Sequence, residues 1–171
     1  MFLEIWHLIS PEPKNCAEIY NCGQKQSGDY AIDPDGKGLF IVYCDQTTDG
    51  GGWTVIQRRM NGATDFYRGW YEYKNGFGIN VNKEYWLGLD KIHRLTHQQN
   101  YKLRVDLEDW NKTTAYAVYS LFGVADEKNK YRLSLGTYSG EEPVLCNSSF
   151  LYVPVLSSVP YFSVVYLPNS R

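Results

Sequence analysis

Thr48-Asp49-Gly50-Gly51-Gly52-Trp53-Thr54-Val55-Ile56-Gln57-Arg58-Arg59 runs three glycines directly into an aromatic-led, β-branched stretch that ends in a basic pair. Glycine accepts positive φ without steric cost, so the triplet marks a tight reversal ahead of an extended segment. Residues 39–44 form a second β-branched and aromatic run, and a polar, glycine-rich connection separates it from residues 53–58. The two runs read as an antiparallel hairpin.

Working outward from that hairpin, Asp65 stands where an N-cap belongs. Phe66, Trp70 and Tyr73 follow at helical spacing until Asn75-Gly76 supplies a stop. Gly69 inside this helix weakens it by about 1 kcal/mol relative to alanine. A second short helix is predicted over residues 90–97, with Ile92 and Leu95 on its buried side. From residue 102 to 108 the alternation is strict: Leu103, Val105 and Leu107 on one face, Arg104, Asp106 and Glu108 on the other. Residues 114–122 and 131–135 continue as strands around the polar turn Asp126-Glu127-Lys128-Asn129, which makes an antiparallel meander.

The chain has 171 residues, 43% of them hydrophobic and 21% charged, enough for one core and too short for two independent ones. Fifteen tyrosines and five tryptophans describe a protein whose large amphipathic rings need polar partners at their ends. A net charge of -2 argues against a nucleic-acid partner, and the Arg58-Arg59 pair is not a basic patch. No charged residue occurs from Pro143 to Ser170, but Pro154, Ser157, Ser158 and Pro160 interrupt that run, so a membrane span is not expected from it.

Four cysteines, Cys16, Cys22, Cys44 and Cys146, allow three full pairings among which spacing does not choose. Zinc is disfavoured, because five residues separate Cys16 from Cys22 where a metal knuckle has two to four. Asn111-Lys112-Thr113 and Asn147-Ser148-Ser149 are glycosylation acceptors in a chain that enters the secretory pathway. Asp33-Pro34-Asp35-Gly36 resembles the start of a calcium loop, but the position of its bidentate glutamate is Cys44, so a polar turn is expected. His93 and His97 lie one helical turn apart without the glutamate of a zinc protease motif, and hydrogen-bonded or solvated histidines are expected. The glycine triplet leads into a strand rather than a helix, which removes the dipole a phosphate site would use. Asp106, Glu108 and Asp109 supply carboxylates, but alternation puts the first two on the polar face of a strand, where solvent is the expected partner, and no motif gathers a nucleophile, a base and an orienting acid.

The glycine-triplet segment is followed by Asp65-Phe66-Tyr67-Arg68, Gly76-Phe77-Gly78, Tyr85-Trp86-Leu87-Gly88-Leu89-Asp90 and Leu103-Arg104-Val105-Asp106-Leu107. In this order they resemble the fibrinogen C-terminal (fibrinogen-related) domain of fibrinogen chains, ficolins, tenascins and angiopoietins. The resemblance covers residues 15–140. It implies an α+β fold: an antiparallel central sheet with short helices and an N-terminal hairpin pinned by a Cys16–Cys44 disulfide. It leaves Cys22 and Cys146 unassigned.

The resemblance further implies a secreted, noncatalytic module that binds extracellular glycans, receptors or matrix proteins. Residues 1–9 lack a basic n-region and carry Glu4 and His7, so either the true start lies upstream or secretion is implied by the family alone. The expected organisation is a leader over 1–14, a partial fibrinogen-related domain over 15–142 and a charge-poor divergent tail over 143–171. After Gly140 the family's calcium segment gives way to Glu141-Glu142-Pro143-Val144-Leu145-Cys146, so an incomplete C-terminal subdomain without calcium or any other cofactor is expected. The strand that the family returns to its central sheet is expected to be lost, leaving an unpaired edge. The alternative function is a structural or assembly fragment whose apolar tail mediates self-association.

Overall fold

The computed structural model describes residues 12–78, 83–109 and 111–140, and the backbone of 162–168. The chain begins with helix α1 (Cys16–Asn21), capped by Asn15, whose side chain accepts from the Glu18 amide at 3.0 Å. Strands β1 (Gly28–Ile32), β2 (Phe40–Asp45) and β3 (Trp53–Arg59) follow as consecutive antiparallel neighbours, with Tyr43 opposite Val55. The predicted hairpin is therefore present, extended outward by β1. Gly50, Gly51 and Gly52 all take positive φ in the β2–β3 turn. A Cβ on Gly51 would collide with the Gln46 carbonyl oxygen, so both the dihedral and the close approach call for glycine there.

Cys16 and Cys44 form a disulfide with their Cα atoms 5.4 Å apart, tying α1 to β2. Cys22 is exposed and free, and Cys146 lies outside the described residues. Helix α2 (Trp70–Asn75) packs against helix α3 (Leu89–Thr96), which packs on the sheet, and the two-residue β4 (Tyr85–Trp86) joins the sheet beside β3. Ile92 and Leu95 of α3 are buried, as their spacing predicts, and join Val42, Val55, Trp86 and Leu103 in the core. The second half of the sheet is a meander of β5 (Tyr101–Glu108), β6 (Thr114–Val124) and β7 (Leu133–Leu135), with β8 (Tyr138–Gly140) also on β6.

Three local expectations are corrected. Asp65 does not cap a helix: its carboxylate accepts from the Tyr67 amide at 2.8 Å, a local turn that competes with helix entry, and α2 starts five residues later behind Gly69. Gly69 is thus an N-cap and carries no helix-interior penalty. Phe66 still enters the core, edge-on to Phe77 at 4.9 Å, whereas Trp70 is exposed and leans on Tyr131 at 5.7 Å. The last meander strand begins at Leu133, not 131, because Lys130 and Tyr131 take left-handed φ of 55° and 48° as the preceding turn closes.

The largest correction concerns the C-terminal region. Residues Phe162–Pro168 form β9, which lies between β3 and β5 and is antiparallel to both. The expectation of a lost return strand and an open edge fails at this position. The sheet order is β1-β2-β3-β9-β5-β6-β7, so β9 joins the N-terminal strands to the meander. Pro168, which has no amide hydrogen to donate, stands at the end of the strand opposite Trp53, where the loss matters least.

Candidate functional site

The register across β9 aligns Arg58 of β3, Val164 of β9, Asp106 of β5 and Tyr116 of β6 in one row. Side chains at directly opposed positions share a face, so this row brings together residues that are far apart in sequence. An open cleft of about 590 Å³ lies over it, lined among the described residues by Arg58, Arg59, Arg104, Asp106, Glu108, Lys112 and Tyr116, with Met60, Leu107, Thr114 and Ala115.

Two of its four cations are paired with the two carboxylates in the cleft, which leaves it net cationic. The Arg104 guanidinium donates to Asp106 at 2.8 Å, lies 3.6 Å from Asp49 and sits 4.4 Å above the Tyr116 ring. Lys112 pairs with Glu108 at 2.6 Å. Arg58 lies over the Tyr43 ring at 4.8 Å. Arg59 lies over Phe66 at 4.6 Å and donates to the Thr64 carbonyl at 3.0 Å. The surface therefore offers planar guanidinium donors and a phenol ring, a set suited to noncovalent contact with polar, acceptor-rich ligands.

Two buried carboxylates hold the turns around this sheet. Glu84 is 2% exposed. Its Oε1 accepts from the amides of Met60, Asn61 and Gly62 at 2.6–2.7 Å, and its Oε2 accepts from that of Thr64 at 2.6 Å. Burial alone would raise its pKa, but the four amides outweigh burial and lower it to about 2. Asp45 does the same for the glycine turn: burial raises its pKa, and bonds from the hydroxyls and amides of Thr47 and Thr48 bring it below the usual carboxylate value.

The remaining motifs have structural partners. Asp33 and Asp35 form a polar turn whose carboxylates meet Arg94 of α3 at 3.2 and 2.6 Å. His93 Nδ1 lies 2.8 Å from the Val124 carbonyl and its ring 5.1 Å from that of His97. No cluster of three or more His, Cys, Asp or Glu is arranged to hold a metal among the described residues. The expectation that solvent is the partner of Asp106 and Glu108 is corrected. Asp106 and Glu108 are bound to Arg104 and Lys112, and Asp109 accepts from the amides of Asn111 and Thr113, each at 2.8 Å. Asn111 lies in the exposed β5–β6 turn, and Asn147 lies outside the described residues. The cleft escaped sequence reasoning because Arg58 and Arg104 are brought together only by the strand between them. The Arg58-Arg59 pair and the polar face of Arg104, Asp106 and Glu108 were its separate traces in the sequence.

A disulfide-tied α+β domain with one antiparallel sheet, short covering helices and a guanidinium-rich cleft is the class these observations define. The model of the family described as fibrinogen beta and gamma chains, C-terminal globular domain, matches residues 12–155, and the chain belongs to that family. It is 54% identical over 129 residues to fibrinogen-like protein 1 of Homo sapiens, an alignment covering 74% of this chain and 41% of that protein. The chain thus spans well under half the length of that relative. The fibrinogen-like globe domain of human ANGPTL2 superposes with a TM-score of 0.75 at 44% identity, covering 77% of this chain and 61% of that one. Lamprey fibrin D-dimer, complexed with the peptide ligand Gly-His-Arg-Pro-amide, superposes with a TM-score of 0.71 at 44% identity over 78% of this chain and 43% of that one.

Proposed function

We propose that this chain is an extracellular recognition module that binds glycan, receptor or matrix protein noncovalently, without a calcium site and without catalysis. The observation that carries the reading is the family fold closed around an open, guanidinium-rich cleft at the β3–β9–β5 junction. Binding by such a surface needs shape and hydrogen bonding, and the described residues bring no nucleophile and base together there. No helix among the described residues is long and apolar enough to cross a membrane.

The test is retention of the full oxidised chain on immobilised N-acetylated sugars with calcium and with chelator. No chelator-sensitive retention is expected, and elution by chelator would overturn the calcium-free reading. Saturable binding to an array of extracellular glycans and matrix proteins, weakened at least tenfold by Arg58→Glu, is the positive arm. Absence of any such ligand would overturn recognition through this cleft. The assembly alternative is weaker, because the backbone of residues 162–168 already pairs inside its own sheet.

A further inference from the structure

We infer that Asn111 is an N-glycan attachment site and that its glycan rises from the rim of the cleft. The inference rests on the extracellular reading above, since only a chain entering the secretory lumen meets the transferase. The sequon Asn111-Lys112-Thr113 occupies the short connection between β5 and β6, and all three residues are exposed.

The turn is built without the groups that glycosylation needs. Its closure uses backbone and one carboxylate: Asp109 N donates to the Thr113 carbonyl at 3.0 Å, Lys112 N to the Asp109 carbonyl at 3.0 Å, and the amides of Asn111 and Thr113 to Asp109 Oδ1. Lys112 takes a left-handed φ of 67°, which turns the chain sharply at the middle of the sequon. The Asn111 carboxamide and the Thr113 hydroxyl enter none of these bonds, so the first can carry a sugar, and the second can serve the transferase, without loss of a contact among the described residues. Lys112 lines the cleft, which places the modified residue beside its mouth. The donor is a lipid-pyrophosphate-linked oligosaccharide. The Asn111 amide nitrogen bonds to the anomeric carbon, the bond from that carbon to the pyrophosphate oxygen breaks, the amide proton passes to the transferase, and the lipid pyrophosphate leaves.

The experiment places the full chain behind a cleavable secretory signal, which forces lumen entry and separates this inference from the localisation reading. Wild type, Asn147→Gln, and Asn147→Gln combined with either Asn111→Gln or Thr113→Ala are compared by intact mass and by peptide mapping after peptide-N-glycosidase. Asn147→Gln should keep one glycan whose removal leaves an aspartate in the peptide holding the sequon, and both double variants should lose it. Thr113→Ala leaves Asn111 in place, so the loss is read even where Asn111→Gln folds poorly. A secreted Asn147→Gln chain carrying no sugar on that peptide would overturn the assignment.

Discussion

Replacing Glu84 with glutamine should cost about 3 kcal/mol at neutral pH and should flatten the acid limb of the stability profile. The magnitude follows from the nest of four amides that lowers the carboxyl from an ordinary 4.5 to about 2. At roughly 1.4 kcal/mol per tenfold change in proton affinity, that difference of about 2.5 pH units is worth about 3.4 kcal/mol. This is an upper bound, because the loop that surrounds the carboxylate is screened by solvent on its outer side. Charge-assisted hydrogen bonds of about 1.5–3 kcal/mol each give a loss of the same order even after the isosteric amide recovers part of the set. Glutamine cannot recover all of it, since one of its two terminal atoms is a donor and must face an amide that is also a donor.

The sign is set by linkage. The folded-state value lies below the unfolded one, so the contribution is fully present above about pH 4.5 and disappears as the pH falls toward 2. Urea unfolding of the oxidised chain, followed by tryptophan fluorescence at pH 7 and pH 3, reads both effects. With a slope near 2 kcal/mol/M, the midpoint at pH 7 should fall by about 1.5 M, and the difference between wild type and Glu84→Gln should shrink at pH 3. Equal midpoints at pH 7, or a gap that stays constant between the two pH values, would refute the reasoning.

Removing the disulfide with Cys16→Ala and Cys44→Ala together should cost about 3.5 kcal/mol by the loop-entropy relation, given a separation of 28 residues, and urea unfolding under nonreducing conditions checks it. Gly51→Ala and Gly36→Ala both place alanine at positive φ, near 78° and 74°, but only Gly51 meets backbone at contact distance. Gly36→Ala should therefore cost about 1 kcal/mol and Gly51→Ala at least about twice that, as read from thermal midpoints, and equal losses would show the clash to be relieved elsewhere. Val165→Pro should lower stability by about 3 kcal/mol or more, because Val165 stands opposite both Gln57 and Val105 in the middle of β9. Val165→Thr should cost far less, and circular dichroism melts in which the two variants behave alike would argue against β9 lying inside the sheet.

What the sequence disclosed was local. The β2–β3 hairpin, α3 with Ile92 and Leu95 inward, and the β5–β6 meander were all readable, because each is encoded by periodicity within one short window. Short-range polar chemistry was read less well. Asp65 has the residue type of a cap and uses it for a turn, and nothing in spacing alone separates the two uses. Helix α1 and strand β1 went unread. Neither has an apolar pattern long enough to register, and α1 rests on the disulfide and on the buried Asn15, whose amide reaches Tyr101 Oη at 3.3 Å. The Arg94 clamp on Asp33 and Asp35 and the Glu84 nest are long-range pairings of ordinary surface residue types, and they become visible only after folding.

The absence of charge from Pro143 to Ser170 has a different physical meaning once β9 is in place. An edge strand is protected from association by charges and prolines, whereas a strand with neighbours on both sides needs every amide for its ladders and gains from β-branched and aromatic residues. Phe162-Ser163-Val164-Val165-Tyr166-Leu167 has that composition and ends at a proline. Read alone, such a window is a sticky, aggregation-prone segment. Placed antiparallel between β3 and β5, the same six residues supply the pairing that connects β1-β2-β3 to β5-β6-β7, since those two groups share no direct ladder among the described residues. The cleft is a consequence of that connection. Arg58 reaches it from one group, Arg104 and Tyr116 from the other, and the width of one strand sets the distance between them. A change that weakens β9 should therefore weaken the proposed binding in the cleft as well as stability, even though it touches none of the guanidinium groups.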